Sequence, residues 1–136
     1  TQEKYHNGLE ALCNKYDKSY YPKFKKWCDD YFFLKHRNEP RGIGGIFFDY
    51  LQTGDWGKDF EFVQDVGIYF HKFIFNTLRS LKDEKWNDED KKTQLIKRSR
   101  YAEFNLLYDR GTKFGLETGG NIDAILMSMP PLAKWE

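Results

Sequence analysis

The predicted fold class depends most on residues 101–112, which read Tyr101-Ala102-Glu103-Phe104-Asn105-Leu106-Leu107-Tyr108-Asp109-Arg110-Gly111-Thr112. Over residues 101–108 the side chains alternate, and one face carries Ala102, Phe104, Leu106 and Tyr108. Such alternation predicts a strand with one apolar and one mixed face. Residues 109–112 predict a hairpin turn, since Gly111 can adopt a positive φ, and residues 113–118 predict a returning strand.

Helices and short strands surround this predicted hairpin. Apolar residues three or four positions apart predict helices over residues 2–16, 22–37, 58–82 and, from Asn87 or Asp88, to about Arg98. Apolar runs at residues 46–51 and 125–127 predict two further strands. Together these elements predict an α+β fold, in which an antiparallel sheet is packed by helices.

Composition limits the class of protein. With 136 residues we expect one domain or part-domain over residues 1–136, and a start at Thr1 rather than Met suggests a piece of a longer protein. A net charge of +1 argues against a strongly basic nucleic-acid-binding protein. The two cysteines, Cys13 and Cys28, exclude a disulfide-rich scaffold and indicate reduced thiols inside a cell. No apolar run approaches the ~20 residues of a membrane span.

The segment from Lys35 to Gly45 is the first candidate site. It places His36, Arg37, Glu39 and Arg41 beside three glycines. Arginine binds carboxylate or phosphate through two parallel hydrogen bonds, and glycine lets backbone N–H groups approach an anion. The segment therefore predicts an acidic ligand, with a tight turn and a structural Arg–Glu pair as the alternative. The glycine spacing does not match a nucleotide P-loop.

Other residues give weaker signals. Asp49 and Glu103 lie on predicted strands, where a carboxylate serves as acid or base or pairs with an arginine. The basic segment 110–121, with its Gly-Gly pair, offers N–H donors to a carboxylate or is an ordinary hairpin. The local spacing of the histidines gives no metal site.

Two long motifs resemble the oxygen-dependent coproporphyrinogen III oxidases. The first is residues 26–49, with Lys26-Trp27-Cys28-Asp29-Asp30-Tyr31-Phe32-Phe33-Leu34-Lys35-His36-Arg37-Asn38-Glu39 and Arg41-Gly42-Ile43-Gly44-Gly45-Ile46-Phe47-Phe48-Asp49. The second is residues 101–112, followed by Gly119-Gly120 and Ile125-Leu126-Met127-Ser128-Met129-Pro130-Pro131. The resemblance covers essentially the whole chain and the C-terminal half of the family's length.

This resemblance implies an activity and a fold. Family members oxidatively decarboxylate two propionates of coproporphyrinogen III to vinyl groups, which gives protoporphyrinogen IX in haem biosynthesis. O2 is the electron acceptor, and no organic cofactor is expected. The implied fold is a large, flat antiparallel sheet with helices on both faces. The implied assembly is a homodimer, with residues 101–136 in the dimer region. The implied compartment is the cytoplasm, or the mitochondrion in an animal or fungus.

The resemblance also assigns residues. Arg41, Gly119, Gly120 and Asn121 match substrate-binding positions, although Asn121 stands where some relatives have arginine. His6 and His36 match positions that bacterial members are described as using for a divalent metal. The family's proposed acid and base lie upstream of the matched half. We therefore expect this chain to be inactive alone, with Asp49 and Glu103 as its own catalytic candidates.

Two non-enzymatic alternatives stay open. Residues 91–100 are basic and are followed by Tyr101 and Phe104, a pattern also found in nucleic-acid-binding modules. The acidic block beside them and the net charge of +1 weaken that alternative, so we expect no nucleic-acid partner. The other alternative is a non-catalytic module that binds anions or serves only in dimerisation.

Overall fold

Helices dominate the computed structural model, which describes all 136 residues. The chain forms two units, a first unit of residues 1–31 and 43–84 and a second unit of residues 32–42 and 85–136. The first unit contains three helices: α1 (Gln2–Tyr16), α2 (Tyr20–Tyr31) and α3 (Trp56–Leu81). The second unit contains β1 (Phe33–Leu34), β2 (Glu39–Pro40), α4 (Asp88–Leu107), α5 (Arg110–Glu117) and α6 (Ile122–Ile125).

Aromatic rings form the core of the first unit. Phe62 of α3 is 1% exposed and lies at its centre. The ring of Phe62 makes edge-on contacts with Tyr16, Tyr20 and Phe48, at centroid distances of 5.2, 5.3 and 5.1 Å. Such ring pairs add to the free energy that burial of the aromatic surface already provides. α3 begins at Asp55, whose carboxylate accepts a hydrogen bond from the Lys58 N–H at 3.1 Å.

The predicted strand at residues 46–51 is wrong, although the segment packs against the core. The segment has no neighbouring strand, and the Phe47 N–H donates instead to the carbonyl of Phe24 in α2, at 3.1 Å. Its alternate residues Ile46 and Phe48 pack against the buried cluster. The apolar run therefore belongs to a segment that packs on helices, where it buries side chains without a partner strand.

The second unit begins after α2 with a short hairpin rather than with more helix. β1 and β2 pair antiparallel, with Leu34 opposite Glu39, so the predicted helix over 22–37 ends six residues early at Tyr31. The connecting turn is closed by Asn38 with φ of +53°, a conformation that asparagine tolerates better than most side chains. The Arg41 N–H donates to the Phe32 carbonyl at 3.0 Å and extends the pairing.

The predicted strand over residues 101–108 is wrong, because α4 continues through it to Leu107. α4 begins at Asn87 with a capping box, in which Asn87 and Asp90 accept each other's backbone N–H hydrogen bonds. Ser99, Ala102 and Asn105 are all buried, and their spacing of three is helical. Leu106 is exposed, which contradicts the alternating pattern.

The predicted hairpin at 109–112, its returning strand at 113–118 and the strand at 125–127 are also wrong. Asp109 caps α5, and its carboxylate accepts from the Thr112 N–H at 2.7 Å. α6 ends at Ile125, and no strand follows it. The large antiparallel sheet is therefore not observed, and the sheet has only two strands. None of the helices combines the length and apolar character that crossing a membrane requires.

Phe62→Ala tests the core of the first unit. We expect a loss of about 3–5 kcal/mol in the free energy of unfolding, because the variant removes a buried ring that touches several others. Phe75→Ala in the same helix is the matched control, since Phe75 is 56% exposed and should cost less than about 1 kcal/mol. Urea denaturation of this chain measures both, and equal losses would contradict the assignment of the core.

Candidate functional site

The carboxylate of Glu103 is the centre of a hydrogen-bonded cluster in the second unit. Arg37 donates to both of its oxygens, from Nε at 2.5 Å and from Nη2 at 2.6 Å. His36 Nε2 lies 2.8 Å from Oε2, and Trp135 Nε1 donates to Oε1 at 2.7 Å. The helix α4 thus holds Glu103 against the turn between β1 and β2 and against the C-terminal residues.

These donors keep Glu103 ionised. The hydrogen bonds from Arg37, and then those from His36 and Trp135, lower the pKa of Glu103 from 4.5 to about 2. Because the carboxylate only accepts, His36 Nε2 carries a proton, and His36 Nδ1 lies 2.8 Å from the Tyr108 hydroxyl oxygen. The cluster is therefore arranged to fix the orientation of His36 and Arg37.

A second ion pair joins the same elements. Arg100 Nε of α4 donates to Oε1 of Glu39 in β2, at 2.7 Å, and Arg100 Nη1 donates to the Ser99 hydroxyl at 3.1 Å. Arg100 is 13% exposed, so this pair is shielded from solvent more than a surface pair is. Arg37 and Arg100 thus have carboxylate partners within the fold, as the structural Arg–Glu alternative expected.

Arg41 has a different environment, made of aromatic rings. Its guanidinium carbon lies 3.9 Å from the centroid of Phe32 and 5.4 Å from the centroids of both Tyr101 and Phe104. At these distances the guanidinium makes cation–π contacts with the rings. An arginine can also donate two parallel hydrogen bonds to a carboxylate, so a cation beside apolar rings has the chemistry for a ligand that is both acidic and aromatic.

Gly119, Gly120 and Asn121 have local structural roles. Gly119 has φ of +72°, and the Gly120 N–H donates to the Gly115 carbonyl at 2.9 Å, which ends α5 as a glycine C-cap. The Asn121 side chain accepts from the N–H groups of Asp123 and Ala124, at 3.0 and 3.3 Å. Their predicted contact with a substrate stays a prediction.

The two candidate metal ligands lie in different units, and each has both ring nitrogens engaged. In the first unit, His6 Nε2 lies 2.6 Å from the Ile43 carbonyl and Nδ1 lies 3.1 Å from the Tyr21 hydroxyl. His36 is held by Glu103 and Tyr108. No group of three or more His, Cys, Asp or Glu side chains is placed to hold a metal ion. The binding of a divalent metal by His6 and His36 stays a prediction.

Asp49 lies in the first unit, in a turn after the extended segment. It lines a cleft of about 570 Å³ whose walls are mainly apolar and include Phe48, Trp56 and Phe60. The rings of Trp56 and Phe60 stack in parallel at 5.1 Å. A carboxylate at the edge of an aromatic cleft is compatible with acid–base work, and this role of Asp49 stays a prediction.

Several site residues were missed at the level of sequence. Trp135 and Tyr108 complete the Glu103 cluster. Trp135 lies 32 residues from Glu103 in the sequence, and Tyr108 lies 72 residues from His36. No local sequence pattern indicates pairs that are so far apart. Tyr101 and Arg98 were treated as part of a strand and a basic run. A helical interpretation of residues 98–105 would have placed them on one face, three residues apart.

Glu103→Gln tests the ion pair. A folded-state pKa of about 2, below the usual 4.5, means that the stabilisation is present above pH 4.5 and is lost as the pH falls toward 2. We expect the variant to lose roughly 1–2 kcal/mol at pH 7, after allowance for screening by solvent, and to match the parent near pH 2. Urea denaturation across this range measures the difference. Glu117→Gln, at an exposed glutamate, is the control, and a difference independent of pH would contradict the assignment.

Comparisons with known proteins agree with the two sequence motifs. A family model described as coproporphyrinogen III oxidase matches residues 1–136. The oxygen-dependent coproporphyrinogen-III oxidase of Rickettsia bellii is 58% identical over 132 residues, which are 97% of this chain and 47% of the relative. That of Rickettsia akari is 58% identical over 133 residues, which are 98% of this chain and 48% of the relative. The chain spans about half the length of the curated relatives it matches, and by a match over its whole length it belongs to the coproporphyrinogen III oxidase family.

Proposed function

We propose that this chain contributes to the oxygen-dependent oxidation of coproporphyrinogen III. Two propionate side chains of the substrate become vinyl groups, which gives protoporphyrinogen IX in haem biosynthesis. The observation that carries the proposal is 58% identity, over 97% of the chain, to proteins named oxygen-dependent coproporphyrinogen-III oxidase. Because the chain spans about half of those relatives, we expect activity only when the remaining length is supplied.

The surroundings of Arg41 also support the proposal. The substrate is a large ring of four pyrroles that carries four propionates, so its binding needs cations beside apolar walls. Arg41 combines a guanidinium with the rings of Phe32, Tyr101 and Phe104. A propionate would accept two hydrogen bonds from Arg41 while a pyrrole lies along the aromatic surface.

The two carboxylate candidates fit different roles. Glu103 is ionised and accepts four N–H hydrogen bonds, so it suits the positioning of His36 and Arg37 better than the donation of a proton. Asp49 lines an open cleft and suits acid–base work. Each propionate releases CO2, one proton and two electrons when it becomes a vinyl group, and O2 accepts the electrons. Neither an organic cofactor nor a metal is given a step in this scheme.

Assembly and location complete the proposal. We infer a homodimer in which residues 101–136 contribute to the interface. The second unit exposes Phe114, Met127 and Leu132, which are 69%, 83% and 66% exposed and offer apolar surface for such contacts. The bacterial relatives favour a cytoplasmic location.

Turnover in air is the test of the proposed function. The chain is incubated with coproporphyrinogen III, alone and together with a polypeptide that supplies the other half of the relatives' length, and the product is identified by chromatography. We expect protoporphyrinogen only from the combination. No product from a folded combination would contradict the proposal and would favour the non-catalytic module.

Arg41→Ala in that combination tests the role of Arg41. We expect kcat/KM to fall by roughly 10–100-fold, mainly through a higher KM, because a charged hydrogen bond to the substrate is lost. Arg79→Ala, at an exposed arginine of α3, is the matched control and should leave turnover within a factor of two. Unchanged kinetics in Arg41→Ala would remove this residue from the substrate site.

A further inference from the structure

The helix α3 carries a long apolar face that stays exposed. Its inner face packs on the core of the first unit through Phe62, Val66 and Tyr69. A second face, here called the outer stripe, carries apolar side chains three or four residues apart on either side of Gly67, and each is between 38% and 65% exposed: Phe60, Val63, Phe70, Ile74, Leu78 and Leu81. This spacing aligns them along the helix over about 30 Å.

Charged side chains of α3 avoid the outer stripe. Glu61, Asp65, Lys72 and Arg79 are four and seven residues apart, so they share a different line along the helix. A helix face that meets water normally carries such charged residues. A contiguous exposed apolar surface is instead typical of a surface that binds another polypeptide.

The outer stripe leads into the cleft of the first unit. Phe60 and Val63 belong to the stripe and also line the cleft of about 570 Å³. Trp56 lines the same cleft, stacks on Phe60 and is 76% exposed. A pocket of this kind accepts a bulky apolar side chain, and such anchors supply much of the binding free energy of protein interfaces.

The exposed area of the chain is larger than its mass requires. The chain exposes 10130 Å² at 16.3 kDa. Even two separate compact globules of half this mass would expose only about 9,000 Å² in total. The difference of roughly 1,100 Å² exceeds the ~800 Å² that each partner buries in a standard interface. The chain therefore has enough additional exposed area for a stable interface.

The length of the relatives indicates the partner. This chain matches 47% and 48% of the Rickettsia bellii and Rickettsia akari oxidases, so those relatives contain about as much chain again. A segment of the same polypeptide has a high effective concentration and covers an apolar face before a second molecule does. The dimer region proposed above lies in the second unit, which leaves the outer stripe to a different partner.

We propose that the outer stripe of α3, together with the cleft at its start, binds the polypeptide that makes up the other half of the relatives' length. That polypeptide contributes an uncharged apolar face, with one bulky apolar side chain in the cleft. The inference goes beyond the proposed function, because it assigns an assembly surface and depends on the length of the relatives rather than on turnover.

Thiol labelling of Phe70→Cys tests whether the outer stripe is covered. Phe70 is 51% exposed, whereas the native Cys13 and Cys28 are buried and should react slowly. The rate of reaction with a maleimide is compared between this chain alone and a joined polypeptide that adds the other half of the Rickettsia bellii relative. We expect labelling of Phe70→Cys to be at least about tenfold slower in the joined polypeptide, because labelling then requires the covered site to open.

Phe75→Cys is the matched control. Phe75 is a phenylalanine of the same helix with a similar exposure of 56%, and it lies outside the outer stripe. We expect its labelling rate to agree within a factor of two between the chain alone and the joined polypeptide.

Phe70→Asp gives a second readout that does not depend on a reagent. A charge buried in the interface lowers the urea midpoint of the joined polypeptide by about 1 M. Phe75→Asp should lower that midpoint much less. In this chain alone the two variants should have the same midpoint, because both side chains then meet water.

Each other outcome overturns the inference in a recognisable way. Equal labelling of Phe70→Cys in both polypeptides would show that the other half leaves the outer stripe open. Protection in this chain alone that increases with its concentration would assign the stripe to a second copy. Equal protection of Phe70→Cys and Phe75→Cys would indicate general burial of α3. In each case the proposed function stands, since turnover is not measured.

Discussion

The ionised carboxylate of Glu103 is the constraint on which the candidate site depends. It accepts hydrogen bonds from His36 and Arg37, in the turn between β1 and β2, and from Trp135 near the C-terminus. These hydrogen bonds join both segments to the helix α4. A two-strand hairpin is barely stable in water by itself. The ion pairs of Glu103 with Arg37 and of Glu39 with Arg100 join this hairpin to α4. They therefore stabilise it in the way that neighbouring strands stabilise a strand pair in a larger sheet. The guanidinium of Arg41, which follows β2, lies beside the rings of Tyr101 and Phe104 of α4.

Local sequence predicted α1 and α3 of the first unit well and the second unit poorly. The predicted helices over 2–16 and 58–82 agree with α1 and α3 to within two residues at each end, because long amphipathic periodicity is a strong signal. Residues 101–108 carry both a period of two and a period near three. The capped start of α4 at Asn87 and the burial of Ser99 and Asn105 decide for the helix. Asp109, which caps α5, was interpreted as part of a turn, because an aspartate side chain accepts hydrogen bonds from nearby backbone N–H groups in turns and in helix caps alike.

The sequence identified several site residues by their chemical type but did not predict the partners that the fold gives them. Arg41 and Glu103 stand out in the sequence, yet nothing in residues 35–45 indicates that Arg37 has a partner 66 positions away. The Gly119-Gly120 pair ends α5 through a positive φ at Gly119 and the hydrogen bond from Gly120 to Gly115, a local role that the sequence did not indicate, and its contact with a ligand stays a prediction. A sequence motif shows which residues occur together along the chain. Only the fold shows which of their atoms already have hydrogen-bond partners within the protein.

The arginines of the second unit show why that distinction matters for binding. An arginine paired with a carboxylate has most of its attraction for an incoming anion already cancelled, and breaking the pair would leave the carboxylate unsatisfied. A guanidinium beside an aromatic ring gains a cation–π attraction, which does not require a carboxylate. Arg37 and Arg41 are four residues apart and chemically identical, but the first is neutralised by Glu103 and the second lies on Phe32. Arg37 and Arg100 therefore join elements of the fold through ion pairs, whereas Arg41 joins β2 to α4 through contacts with aromatic rings.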